Sequence, residues 1–246
     1  SRMKDNFIDL TVTSPPYDNL RTYNGYSFDF ESIAKELYRV TKKGGVLVWI
    51  VGDATIKGSE TLTSFKQALY FKEIGFNVHD TMIWTKQQLA FPDKNRYYNG
   101  FEYMFILSKG KPKSINLISD KKNVAFGRFV DNSGGRKKDG TIRNKRSGAG
   151  NPIKEFGVRW NYWLMYNQSR GLHSKHPATF PEQLANDHII SWSNEGDLVY
   201  DCFGGSGTTA KMSKVLNRNF IVSEISKEYC EDIIKERLKI DGTLFD

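Results

Sequence analysis

The sequence predicts an α/β fold, in which a Rossmann-like, mostly parallel sheet is covered by helices on both faces and carries an irregular basic insert. Three observations predict it. Apolar runs alternate with amphipathic segments, and the run 46–51 is almost wholly apolar, as in strands buried on both faces. Near the carboxyl terminus, a strand, a glycine-rich turn, a helix and a second strand follow one another. With 246 residues, 39% of them hydrophobic, the chain suits one large domain or a domain with a small lobe.

Alternating strand and helix patterns run from residue 7 to residue 108. One helix is marked by Ile33, Leu37 and Val40, whose spacing places them on one face, and it ends before Gly44. The predicted strands cover 7–12, 46–51, 77–85 and 101–108, and the predicted helices cover 30–42 and 61–73. This β-α-β-α-β-β order predicts a sheet covered on both faces.

A rigid segment, Thr13-Ser14-Pro15-Pro16-Tyr17, follows the first strand. Proline fixes φ and lacks an N–H, so the carbonyls of Ser14 and Pro15 are held without neighbouring donors. Such a ledge accepts hydrogen bonds, and it suits a planar exocyclic amine whose ring is covered by Tyr17. The alternative is an ordinary strand end, for which serine and proline are common stop signals.

A glycine-rich turn between two strands is the second candidate site. Glycines 204, 205 and 207 permit close approach of a ligand to the backbone, and a helix amino terminus follows them. Glu224 ends the next strand, where a carboxylate can bind the hydroxyls of a ribose. This half also satisfies a dinucleotide fingerprint, and a tight turn that only packs a helix on a sheet is a further alternative.

Together, the ledge and the turn resemble the S-adenosylmethionine-dependent amino-methyltransferases that modify exocyclic amines of DNA bases. The ledge precedes the cofactor turn, as in the beta class of that family, and this order favours DNA over RNA or protein amines. The resemblance implies that Ser14, Pro15, Pro16 and Tyr17 are catalytic. It implies S-adenosylmethionine as cofactor, bound by Thr13, His176, Thr179, Phe180, Asp201, Phe203, Gly204, Gly205, Ser206, Gly207, Thr208 and Glu224. For Thr179, helix capping together with Glu182 is an equally good explanation.

The resemblance also divides the chain into a catalytic half at 1–108, a target-recognition insert at 109–172 and a cofactor half at 173–246. Between residues 109 and 146, 12 Lys and Arg face three acids, a net charge of +9, while the rest of the chain sums to −1. This segment predicts contact with the phosphates of double-stranded DNA. A solvated basic loop is the alternative. The aromatic residues of 160–166 stack on bases or belong to the core.

The hypothesis for the chemistry is direct transfer of the sulfonium methyl group to a base amine. The Ser14 side chain and the Pro15 carbonyl would orient the amine, and Tyr17 would stack on a base flipped out of the duplex. The chemistry of Ser14 does not distinguish the two bases, but within the family that the chain resembles, Ser-Pro-Pro-Tyr is commoner among enzymes that methylate the N4 amine of cytosine. The resemblance therefore favours cytosine N4, with the N6 amine of adenine as the alternative. An RNA or protein amine methyltransferase and an inactive DNA-binding subunit are further alternatives.

Other partners are not expected. The four histidines form no ligand grouping and the two cysteines form no metal set, so no metal is predicted. The chain has no long apolar stretch and no signal peptide, which predicts a cytoplasmic protein without membrane contact. Monomer and homodimer stay open. Asp53, at a strand end, is left as structural or catalytic, and family members have a further strand before the ledge that this chain begins too late to include.

Overall fold

The computed structural model describes residues 3–16, 28–86, 94–130, 135–142, 148–166 and 180–239. The chain divides into two compact units. The first unit comprises Ser1–Asn116 and Asn161–Asp246, and the second comprises Leu117–Trp160. The candidate site residues all belong to the first unit.

A seven-stranded sheet forms the centre of the first unit. The strands of the chain are β1 Ile8–Thr13, β2 Thr41–Val51, β3 Thr55–Ile56, β4 Ser59–Glu60, β5 Asn77–Thr85, β6 Phe101–Ser108, β7 Lys121–Lys122, β8 Phe156–Gly157, β9 Tyr162–Leu164, β10 Leu198–Asp201 and β11 Asn219–Val222. The sheet order is β11-β10-β1-β2-β6-β5-β9, while β3 pairs with β4 in a separate hairpin. Strands β11, β10, β1 and β2 are parallel, β6 is antiparallel to both neighbours, and β9 is parallel to β5. The predicted mostly parallel sheet is confirmed.

Helices cover both faces of this sheet. They are α1 Phe30–Val40, α2 Thr63–Glu73, α3 Glu182–Trp192, α4 Thr208–Val215 and α5 Lys235–Lys239, and α5 continues a π-helical turn at Tyr229–Ile234. On one face Leu37 of α1 and Phe71 of α2 pack in a core with Trp49 of β2. On the other face Ile189 of α3 and Met212 of α4 pack against a second core. The prediction of a doubly covered sheet is therefore confirmed as well.

The boundary between α1 and β2 differs from the prediction. The helix ends at Val40, because Thr41 is extended and its hydroxyl donates to the Leu37 carbonyl at 2.6 Å. Strand β2 then begins at Thr41, which pairs with Ile8, and an irregularity in the register precedes the regular pairing of Leu10 with Val46. The lysines and glycines that signal a helix end also form the start of a strand, because β1 supplies the partner.

The strand order creates one place where ligands bind in folds of this kind. From β1 the chain passes through α1 to β2 on one side, and from β10 it passes through α4 to β11 on the other. The switch in direction lies between β1 and β10, where a crevice forms at the carboxyl ends of parallel strands. We call the edge at which β1, β2, β10 and β11 end the carboxyl edge. Both predicted motifs follow strands that end there.

The second unit is irregular, with β7 and β8 as its only strands among the described residues. Arg159 pairs with Asp120 at 2.5 Å, and the Lys121 ammonium lies 4.0 Å from the centre of the Trp160 ring. Phe126 and Phe129 are exposed. The aromatic residues that follow Trp160 belong to the first unit, where Tyr162 and Trp163 lie in β9 and Trp163 is buried. A target-recognition role for residues 109–172 stays a prediction.

Candidate active site at the carboxyl edge of the sheet

The ledge begins where β1 ends at the carboxyl edge. Ser14 and Pro16 are partly buried and Pro15 is buried. Tyr17 lies outside the described residues. The side chain of Thr13, the last residue of β1, is buried, and its hydroxyl donates to Asp201 Oδ1 at 2.7 Å. This bond joins the start of the ledge to the end of β10, although the two residues are 188 positions apart in the chain.

Asp201 is the most strongly perturbed carboxyl group of the site. It is 2% exposed and accepts hydrogen bonds from the Thr13 hydroxyl and from the Phe203 N–H at 3.1 Å. Burial raises its pKa to about 6, and the two hydrogen bonds oppose that effect. Asp201 therefore fixes the direction in which the chain leaves β10, and Phe203 then packs edge-to-face on Phe28 at 5.6 Å between ring centres.

Cys202, the residue after Asp201, lies in a setting that disfavours the thiolate form. The Cys202 sulfur lies 3.6 Å from Thr13 Oγ1, and burial raises the pKa of the thiol far above its usual value. A thiol without access to its thiolate form cannot attack a ring carbon. Direct methylation of an amine needs no such group.

The glycine turn, Gly204–Gly207, is held by two backbone hydrogen bonds, one within the turn and one to the residue that follows β11. Gly204 N donates to Ser223 O at 2.9 Å, and Gly207 N donates to Gly204 O at 2.7 Å. Gly205 and Gly207 have φ values of 50° and 79°, in the left-handed region that favours glycine. A Cβ atom on Gly204 would lie 2.1 Å from Val222 Cγ1, so a side chain at this position would require the turn or β11 to move.

Glu224 lies next to this turn, directly after β11. One carboxylate oxygen accepts the Gly205 N–H at 2.7 Å, and the other accepts the Ser226 N–H at 2.9 Å. A carboxylate has about four acceptor positions, so about two stay available for further donors. The backbone thus orients Glu224 while leaving it able to bind a pair of hydroxyl groups.

Helix α4 starts directly after the turn. Thr208 is its first residue and is buried, and Thr209 donates to the Val12 carbonyl of β1 at 3.2 Å. The positive end of the helix dipole therefore lies at the carboxyl edge, close to both β1 and β10.

The predicted stretch before α3 is described only in part. His176 and Thr179 lie outside the described residues, and Phe180 is a partly buried residue packed against the core. The capping-box explanation for Glu182 is wrong, since α3 begins at Glu182 itself after Pro181 and has no side-chain cap. Its carboxylate instead binds Lys211 at 3.1 Å and Arg237 at 2.5 Å.

Two further residues clarify what sequence reasoning left open or missed. Asp53 accepts the Ser64 N–H at 2.8 Å and the Ser64 hydroxyl at 2.5 Å, so it anchors the start of α2. Arg237 donates to Ser206 and Thr208, at the end of the glycine turn. In the sequence, Arg237 stands among charged residues near the carboxyl terminus, where a pattern gives no sign that one of them is buried.

Within the described part of the chain, no three His, Cys, Asp or Glu side chains come together as a metal site. None of the described helices has the length and apolar character that crossing a bilayer requires.

The fold and the turn define a class. A doubly wound sheet with a glycine turn at the switch point, followed by a carboxylate at the end of the next strand, is the architecture of proteins that bind a nucleoside-containing cofactor. The family model described as DNA methylase matches residues 8–236. The chain belongs to this family of S-adenosylmethionine-dependent DNA amino-methyltransferases, and its cofactor is therefore S-adenosylmethionine.

Individual relatives agree with this assignment. The chain is 62% identical over 248 residues to the orphan methyltransferase M.BamHII of Bacillus amyloliquefaciens, covering 96% of this chain and 92% of that one. It is 29% identical to the type II methyltransferase M.HpaI of Haemophilus parainfluenzae, over 99% and 72% of the two chains. Among solved structures, the cytosine-N4-specific PvuII DNA methyltransferase shares the fold with a TM-score of 0.68 at 22% identity, covering 98% of this chain and 83% of that chain.

Proposed function

We propose that this chain transfers the methyl group of S-adenosylmethionine to the N4 amine of a cytosine flipped out of double-stranded DNA. The observation that carries the proposal is the 2.7 Å hydrogen bond between Thr13 and Asp201. Through it, the residue that starts the amine-accepting ledge contacts the strand that leads into the glycine turn. A methyl donor at the turn and an amine at the ledge are then neighbours.

The residues at the turn fit the cofactor. Glu224 has acceptor positions left for the two ribose hydroxyls, and the glycines admit the ligand close to the backbone. Asp201 and Phe203 shape the turn, and Thr13, Phe180, Ser206 and Thr208 complete the predicted set together with His176 and Thr179. When bound, S-adenosylmethionine supplies an electrophilic methyl group.

The ledge performs the second task, which is to orient the amine. The Ser14 hydroxyl and the Pro15 carbonyl accept the two amine hydrogens, and neither proline offers an N–H that would compete. An aromatic amine is a weak nucleophile because its lone pair is delocalised into the ring. Acceptors on both hydrogens favour a pyramidal nitrogen and stabilise the positive charge that grows there. Once the nitrogen carries the methyl group, one of these two hydrogens would leave as a proton to solvent, which restores a neutral amine. Orientation of this kind is worth about 7 to 11 kcal/mol in favourable cases.

The choice of cytosine rests on the Ser-Pro-Pro-Tyr ledge, and the N4 specificity in the name of the structurally similar PvuII enzyme agrees with it. The N6 amine of adenine is the second candidate, because both amines stand beside a ring nitrogen and present two hydrogens to the ledge. An RNA or protein amine as substrate and an inactive DNA-binding subunit are weaker alternatives. Tyr17 would stack on the flipped base, whose unstacking costs a few kcal/mol.

Double-stranded DNA is the proposed partner of the second unit. From 117 to 160 the chain holds 11 Lys and Arg against four acids, and aromatic side chains such as Phe126, Phe129 and Trp160 are exposed there. Basic side chains release counterions from phosphates, and exposed rings can contact bases.

Product analysis tests the proposal. The protein is incubated with unmethylated duplex DNA and isotopically labelled S-adenosylmethionine, the DNA is digested to nucleosides, and the labelled product is identified by mass spectrometry. We expect N4-methylcytosine. Labelled N6-methyladenine would overturn the choice of base but not the class of reaction, and label found only in RNA or protein would overturn the choice of substrate.

A further inference from the structure

The first unit buries a cation next to the candidate cofactor turn. Arg237, on α5, is 3% exposed. Burial lowers the pKa of its guanidinium, and the hydrogen bond and charge of Glu182 oppose that effect. A charge removed from water destabilises the fold unless partner groups replace the lost hydration. The hydrogen-bond partners of Arg237 therefore show which part of the molecule this buried side chain holds in place.

Three of these partner atoms belong to Ser206 of the turn and to Thr208, the first residue of α4. Arg237 Nη1 donates to the Ser206 carbonyl at 3.1 Å, to the Ser206 hydroxyl at 2.7 Å and to Thr208 Oγ1 at 3.0 Å. The Ser206 carbonyl belongs to the same peptide unit as the Gly207 N–H, which donates to Gly204 O. Both polar groups of that peptide are thus bound within the protein, which fixes the plane of the peptide.

The fourth partner neutralises the cation and links it to two more helices. Arg237 Nη2 donates to Glu182 Oε1 at 2.5 Å, and Lys211 of α4 donates to both oxygens of Glu182 at 3.1 Å. Burial acts to raise the pKa of Glu182, but the hydrogen bonds and charges of Arg237 and Lys211 prevail and keep it below its usual value. The ion pairs connect the first residue of α3, helix α4 and helix α5 around the turn.

We propose that Arg237 is a positioning residue for S-adenosylmethionine, holding the glycine turn in its binding conformation while Glu182 holds Arg237. The inference rests on the proposed role of the turn as the cofactor site. Glycines at positions 205 and 207 allow many backbone conformations, so the turn needs an external constraint to keep one of them. A constraint already present in the free protein reduces the ordering cost at binding.

The shape of the side chain matters as well as its charge. The planar guanidinium presents several donors in a fixed arrangement, and here it reaches two oxygens of Ser206, one of Thr208 and one of Glu182. A lysine at position 237 keeps the charge but cannot bind the same oxygens in a fixed geometry. We therefore expect Arg237→Lys to restore folding better than it restores cofactor affinity.

Calorimetric binding of S-adenosylhomocysteine, which cannot transfer a methyl group, tests the inference. Arg237→Met should raise Kd at least tenfold, and Arg237→Lys and Glu182→Gln should each raise it about threefold or more. Steady-state kinetics should show the same rise in KM for S-adenosylmethionine, with kcat at saturating cofactor within about threefold of the wild type. Amide hydrogen exchange at residues 205–208 should become faster in Arg237→Met.

A matched control separates positioning from stability. Arg218 is also partly buried and donates to the Ser193 and Leu216 carbonyls, but it lies before β11, at the opposite edge of the sheet. Arg218→Met should leave Kd within twofold at a temperature where circular dichroism shows every variant folded. An equal rise in Kd for Arg218→Met, or unchanged Kd in Arg237→Lys and Glu182→Gln, would overturn the inference.

A further variant keeps this inference separate from the proposed function. Glu224→Gln alters the group proposed to bind the ribose. If Glu224→Gln weakens binding while all Arg237 variants bind normally, the turn is the cofactor site and only the role of Arg237 is wrong. If Glu224→Gln and the Arg237 variants all bind like the wild type, the turn is not the cofactor site and both proposals fail.

Discussion

The ledge and the glycine turn meet at one edge of the sheet, but they are held in place by different means. The ledge takes its stiffness from the rings of Pro15 and Pro16, which restrict the backbone covalently. The turn consists of flexible glycines and takes its stiffness from hydrogen bonds to Ser223, Glu224 and Arg237. A covalently stiffened segment should tolerate loss of a side chain without change of shape. A turn fixed by distant partners should not.

Removal of the Ser14 hydroxyl should have the largest effect and should be confined to the chemical step. Ser14→Ala deletes one acceptor for the amine while the prolines keep the backbone in place. Loss of one oriented hydrogen-bonding group in a transition state costs about 100- to 1000-fold in kcat. We expect such a loss in DNA methylation, measured by transfer of labelled methyl groups.

The control is cofactor binding by the same variant. Calorimetry with S-adenosylhomocysteine should give a Kd for Ser14→Ala within about twofold of the wild type. Wild-type methylation by this variant would contradict the role of the ledge, and loss of cofactor binding would show that ledge and turn are not independent.

Asp201, which joins the two regions through its hydrogen bond to Thr13, should make the free energy of unfolding depend on pH. Because burial raises the pKa of Asp201 from 3.8 to about 6, folded protein retains this proton to higher pH than unfolded protein. The contribution of this group to the free energy of unfolding therefore falls as pH rises from about 4 to about 6, and then levels off. At about 1.4 kcal/mol per pKa unit, the fall is about 3 kcal/mol.

Asp201→Asn removes this titration while keeping an oxygen acceptor. Urea unfolding of both proteins from pH 4 to pH 8 should show the stability of the variant, relative to the wild type, rising through the window between pH 4 and pH 6. A difference that stays constant over that range would mean that Asp201 does not titrate there.

The contrast between local restraints and distant partners also explains how much of the fold the sequence predicts. The ledge and the turn are local signals, and strands β5 and β6 lie at the predicted 77–85 and 101–108. Strand β6 has a continuous apolar run from Tyr103 to Leu107, whereas the apolar residues of β5 are concentrated in its second half. The sequence does not predict that β6 is antiparallel to β2, because the direction of a strand depends on its partner in the sheet and not on its own residues. The start of β2 was missed for the same reason.

The candidate site shows the same limit. Motif resemblance was enough to name Thr13, Asp201 and Glu224, but it gave no sign of the bond between Arg237 and Glu182, which are 55 positions apart. A buried ion pair has no local pattern, because each partner alone looks like a surface residue of a helix. Side chains that hold a turn from distant positions in the chain, such as Arg237 and Glu182, therefore cannot be predicted from the sequence.

A side chain at position 204 should have the smallest of these effects, and it tests how closely the turn is fitted to the sheet. In Gly204→Ala the new Cβ would lie 2.1 Å from Val222 Cγ1 and 3.3 Å from Ser223 O, so β11 or the turn must move. Overpacking of this kind costs about 1 to 3 kcal/mol. We expect that loss in urea unfolding, together with weaker binding of S-adenosylhomocysteine.

Two comparisons decide whether the contact with Val222 is the cause. Gly135→Ala adds a methyl group where no atom of the described residues lies within 4 Å, so its free energy of unfolding should match that of the wild type. In the double variant Gly204→Ala with Val222→Ala, the smaller side chain at position 222 makes room for the new Cβ. The double variant should therefore lose less free energy of unfolding than the two single variants lose together. Strict additivity would mean that the contact between the new Cβ and Val222 is not the cause of the loss.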